Sequence, residues 1–105
     1  MTGDDVARIV SAVLEISTPF PVTALTIEVW SDALEWVSYE EARDAVRYLA
    51  KRHDPNKRLG PSDILSVISM WQERYRNANP NMIGFGEDTI WDSEKHKYVP
   101  KEANA

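Results

Sequence analysis

The sequence predicts an all-α protein: a small four-helix bundle in residues 1–78, followed by a weakly structured C-terminal tail in 79–105. Three observations predict it. Apolar residues recur at intervals of three and four in four separate segments, the period of a helix with one buried face. Proline, glycine and small hydroxyl residues punctuate the gaps between those segments. After Asn77 the helical period is lost.

The first helix is expected over residues 4–16, where Val6, Ile9, Val10, Val13 and Leu14 share a face and Asp4 or Thr2 supplies the cap. It must stop before Pro19. Thr18 and Phe20 each precede a proline and are pushed out of helical geometry, so "STPFPV" is a loop in which Phe20 packs down as a plug. A second helix is expected over 24–36, capped by Thr23 or Thr26, with Ile27, Trp30, Ala33, Leu34 and Val37 inward. Ser38-Tyr39-Glu40-Glu41 has the form of a capping box, in which the Ser38 hydroxyl accepts from the Glu41 amide and the Glu41 carboxylate reaches back. The third helix runs from it to about Arg52 and buries Ala42, Ala45, Val46 and Leu49. After the loop "HDPNKRLG", Gly60-Pro61-Ser62 opens a fourth helix whose inner face is Ile64, Ile68, Trp71 and Tyr75.

With 105 residues the chain builds one modest core, and its 43% hydrophobic content excludes wholesale disorder. Cysteine is absent, so disulfides and thiolate chemistry are excluded. No apolar run approaches the length of a membrane span or has the form of a signal peptide, and a soluble protein of the cytoplasm is expected, with no membrane partner. The net charge of -5 is unevenly spread: residues 1–42 carry -7 and 43–58 carry +4. The whole-molecule field therefore does not steer the chain to nucleic acid, and any such role rests on the local excess.

Catalysis is not expected. His53 and His96 have no second histidine and no cysteine at ligand spacing, so no metal is expected. Glu40-Glu41 is explained by the preference of acids for helix N-termini. "GFGED" lacks the Lys-Ser or Lys-Thr and the following helix of a phosphate loop, and no cofactor is implied. In the basic stretch, Arg43, Arg47 and Lys51 recur every four residues, and Lys57 and Arg58 extend the row from the loop as candidate nucleic-acid contacts. An ordinary solvated face accounts for the same residues. Glu40 precedes Arg43 by three, Asp44 precedes Arg47 by three, and Lys51 and Arg52 sit where the helix dipole favours positive charge, so the balance leans to that explanation.

Trp30 and Trp71 stand at core spacing, and Trp36, near a helix end, can be assigned to neither core nor surface. The tail holds Met82, Phe85, Ile90, Trp91 and Tyr98 without helical period, and Thr89 to Val99 can pair as a hairpin around "DSEK". These side chains must fold back on the helices or wait for a partner. The second is the expectation, with Trp91 as principal anchor.

The order "TIEVWSDALEWVSYEEARDAVRYLAKRHDPNKRLGPSDI", with "DDVARIVSAVLEI" before it, resembles the N-terminal domain of the phage replicative-helicase loader and inhibitor family over residues 4–72. The shared features are a helix with a central Trp (Trp30), a short turn into a helix of the form "YEEARDAVRYLAKRH", and a loop ending in Pro61-Ser62 before Asp63-Ile64. The resemblance implies a helical domain without nucleotide hydrolysis. It also implies an adaptor that contacts the replicative helicase and an origin-bound replisome protein, with the segment after the helices flexible and used in helicase binding. Residues 79–105 match no part of that pattern residue by residue. The expected function is a non-enzymatic phage or prophage replication adaptor that binds, restrains and helps load a hexameric helicase. The alternative is a small DNA-binding protein using residues 43–58.

Overall fold

The computed structural model describes residues 1–52, 57–78 and 89–100. Four helices, α1 (Gly3–Ile16), α2 (Ala24–Ala33), α3 (Tyr39–Arg52) and α4 (Pro61–Ala78), precede a two-stranded antiparallel sheet of β1 (Thr89–Asp92) and β2 (Lys97–Pro100). The fold is thus mostly helical, as expected of an all-α chain, with a small two-stranded sheet added to the four helices.

Each helix begins on a side-chain clasp that satisfies backbone N–H groups otherwise orphaned at a helix start. In α1, Thr2 rather than Asp4 is the cap: its Oγ1 accepts from the Asp5 N–H at 3.2 Å, and the Asp5 carboxylate accepts from the Thr2 N–H at 3.1 Å. Thr23 and Thr26 form the same reciprocal pair at α2. The expected Ser38–Glu41 box is present, with both bonds at 3.2 Å. At α4 the Asp63 carboxylate accepts from the Gly60 N–H at 2.8 Å.

α2 is shorter than its apolar period suggests. It ends at Ala33, where Leu34 leaves helical geometry while its N–H still bonds the Trp30 carbonyl, and a turn carries the chain to Val37. Leu34 and Val37 remain buried, whereas Ile27 and Ala33 are only half-buried.

The core is the interlocked inner faces: Val6, Ile9, Val10 and Val13 from α1, Ala42, Ala45 and Val46 from α3, and Ile64, Val67, Ile68, Trp71 and Tyr75 from α4. α1 packs on α2 and α3, and α3 on α4. Phe20 is the expected plug, stacked on Trp30 with ring centroids 6.2 Å apart. Two loops distant in sequence are tied together beneath it. Ser17 is buried, its hydroxyl accepts from the Leu59 N–H at 2.7 Å, and the Thr18 N–H donates to the Lys57 carbonyl at 3.2 Å.

The hairpin turns through Ser93–His96. The Asp92 side chain accepts from the Glu94 and Lys95 N–H groups at 3.0 and 3.1 Å, and His96 takes the left-handed conformation at φ 52° that closes such a turn. In the register Trp91 lies opposite Tyr98, so both rings project from one face of the sheet, and β2 packs on α4. An isolated pair of four-residue strands is marginal in water; this one leans on the helices through its aromatic face.

Candidate functional site

Three surfaces carry the candidate functional residues, two of them around residues that the sequence singled out. The first is the seam between the hairpin and α3/α4. Trp91 lies face to face with Trp71, centroids 4.3 Å apart, and its indole N–H donates to Asp44 Oδ2 at 2.7 Å. Asp44 is only 2% exposed and has two partners, the Trp91 indole N–H and the Arg43 Nε at 3.4 Å. Tyr98 is buried, packs edge-on to Trp91 and Tyr75, and donates its hydroxyl to Glu41 Oε2 at 2.5 Å. Burial, and after it the Glu41 carboxylate, hold the Tyr98 phenol protonated well above its ordinary range. Glu41 therefore serves two elements at once, capping α3 with one oxygen and clasping the hairpin with the other.

That geometry corrects the expectation that Trp91 stands exposed in wait for a partner. Its ring and its N–H are engaged within the chain, because Trp71 and the buried Asp44 present a flat apolar face beside a charged acceptor, the two features an indole satisfies together. Tyr98 follows it inward, and Ile90 is half-buried. Met82, Phe85 and His53 lie outside the described residues.

The second surface is the basic stretch, and the row drawn from sequence is dispersed. Arg43 turns to the hairpin, where it donates to Ser93 Oγ at 3.1 Å. Arg58 lies over the Phe20 ring, 4.9 Å from its centroid, on the loop side of the molecule. Lys57 is in the clasp with Thr18. Arg47 and Lys51 remain exposed and are joined by residues that were not expected. They line a groove together with Arg52, whose guanidinium stacks on Tyr48 at 3.9 Å, Arg74 of α4 and His96 of the hairpin turn. The anticipated pairing of Asp44 with Arg47 does not form: among the described residues Asp44 pairs only with Arg43.

The third surface is the outer face of α2, and here sequence reasoning missed the signal. Trp36 is 91% exposed, Leu25 66%, Val29 51% and Val22 46%. Leu25 and Val29 are one turn apart on the side of α2 opposite Trp30, Val22 precedes Leu25 by three, and Trp36 stands just beyond the helix end. Glu28, Asp32 and Glu35 are exposed among them, and no Lys or Arg occurs between Arg8 and Arg43. The face is apolar with an acidic rim. Its signal was legible as Leu25 and Val29 falling out of phase with Ile27, Trp30 and Leu34, an apolar residue on both sides of one helix.

Among the described residues no group of three His, Cys, Asp or Glu side chains could hold a metal ion, and no helix is long and apolar enough to cross a membrane. Comparison with protein-family models, curated proteins and solved structures found no match to this chain.

Proposed function

We propose that the chain is a non-enzymatic adaptor of phage or prophage DNA replication, a small helical bundle in the host cytoplasm that restrains and helps load a hexameric replicative helicase. Its docking surface is the outer face of α2. The observation that supports this reading is Trp36: a tryptophan left 91% exposed at the end of a row of exposed aliphatic residues is the composition of an interface hot spot before its partner arrives. The resemblance of residues 4–72 supplies the identity of the partner, with an origin-bound replisome protein as a second one.

Charge narrows the partner surface. Two copies of this chain meeting through α2 would set Glu28, Asp32 and Glu35 against their own equivalents, so self-association is disfavoured and an apolar patch with a basic rim fits. In this reading the hairpin is a brace that rigidifies α3 and α4 rather than a tether. The test is a binding titration of the purified host replicative helicase against wild type, Trp36→Ala and Trp91→Ala. Trp36→Ala should weaken binding by about 2 kcal/mol or more without lowering the melting temperature. Helicase binding that is absent, or indifferent to Trp36, would sink the proposal.

A further inference from the structure

Beyond the adaptor role, the groove between α3 and α4 has a composition that points to a second ligand. Its cations are Arg47, Lys51, Arg52 and Arg74, drawn from two helices, with His96 of the hairpin turn at one edge. None of the four cations has an ion-pair partner among the described residues, where the sole salt bridge is Arg43–Asp44. Asp44, the one acid in the groove wall, is 2% exposed and already bound by the Trp91 N–H and Arg43, so it does not quench the rim. The stacking of Arg52 on Tyr48 orients its guanidinium and leaves its charge intact. Four cations without an ion-pair partner among the described residues, on a chain of net charge -5, are a local inversion of the protein's field.

The floor of the groove decides between classes of anion. An acidic peptide would need an apolar anchor, and the largest aromatic of the groove offers little surface for one: Trp71 is 8% exposed, stacked against Trp91 and in a T-shaped contact with Tyr48. A ligand held here is held chiefly by charge and by guanidinium hydrogen bonds. Arginine forks suit phosphate oxygens, and Arg47 and Lys51, one turn apart on α3, place two charges about 6 Å apart along the axis. The α3 C-terminus opposes an anion, but its dipole amounts to roughly half a charge against four.

We propose that this groove binds the sugar-phosphate backbone of a nucleic acid, without reading its bases. Contact is with phosphate only, so it is weak, independent of sequence and strongly dependent on salt.

Fluorescence anisotropy of the full chain with labelled single-stranded and duplex oligonucleotides of two unrelated sequences tests it. The two forms separate the two sources of the same phosphate chemistry, and binding of either form supports the proposal. Neutralising about three phosphates predicts a fall in affinity of roughly twentyfold to fortyfold between about 50 and about 200 mM salt. The Arg47→Gln/Lys51→Gln/Arg74→Gln variant should lose about tenfold or more in affinity and flatten the salt dependence. Arg8→Gln/Arg58→Gln removes two positive charges outside the groove and should change affinity by less than about twofold. Circular dichroism melts establish that each variant is folded. No binding at low salt, equal losses in both variants, or displacement by polyglutamate as effective as by unlabelled oligonucleotide would each overturn the proposal, the last in favour of an acidic protein ligand.

Discussion

Trp91, expected to wait for a partner, is packed within the chain, while Trp36, which the sequence assigned to neither core nor surface, stands exposed; the two surfaces they occupy differ in one respect: what arrives from elsewhere in the chain. At the hairpin seam, α3 and α4 present Trp71, Tyr75, Asp44 and Glu41, and residues 89–100 return to cover them, so aromatic face meets aromatic face and each polar group finds a partner. Leu25 and Val29 on α2 and Trp36 just beyond its end are comparably apolar, yet no described segment returns to them. An aromatic residue in an aperiodic segment is thus not by that fact exposed, nor is one near a helix end by that fact buried. Burial is settled by a surface of matching chemistry within reach.

Trp71 is shared by the core and the seam. Trp71→Ala should destabilise the protein by roughly 3–5 kcal/mol, read as a fall in the thermal midpoint; an unchanged midpoint would mean that α4 is not packed as described. Trp91→Ala should cost about 2–3 kcal/mol, because it removes the stacked ring and leaves the buried Asp44 carboxylate short of a donor. If the seam is one unit, the Trp71/Trp91 double variant falls short of the sum of the two single effects in chemical denaturation. Should Trp91→Ala melt like wild type, the hairpin is not a brace and its expected role as a partner anchor returns.

Tyr98→Phe should cost about 1–2 kcal/mol through loss of its bond to the Glu41 carboxylate. The wild-type bond also leaves a signature in pH. The folded phenol is held protonated above the value of 10.0 at which the unfolded one ionises. Its contribution is therefore complete below that pH and is lost as pH rises beyond it. Melting temperatures of wild type and Tyr98→Phe should converge in that alkaline range, and parallel curves would show that the phenol is not clasped. Ser38→Ala, which loses a helix cap but not the hairpin contact, should cost about 1 kcal/mol by denaturant unfolding. Smallest of all, Trp36→Ala should stay within about 0.5 kcal/mol of wild-type stability. A larger loss would place Trp36 in the fold and remove α2 from consideration as a docking face.

Local chemistry was legible wherever cause and effect lie within a few residues. Ser38 and Glu41 are three apart, so the start of α3 could be read directly, as could the break forced by Pro19 and the inner faces of α1 and α4, since capping and helical period are properties of short windows. Even the hairpin was visible as an option around "DSEK". Tertiary structure alone decided that Asp44 would face inward to Trp91 across 47 positions rather than outward to Arg47, that Ser17 would hold Leu59 across 42, and that Arg74 would join Arg47 and Lys51. It also decided which tryptophan would be left bare. The reason is that a helix presents its whole circumference at once: periodicity names the face that is most apolar, but which remaining groups are covered depends on loop paths and on partners distant in sequence, where no short window carries the information.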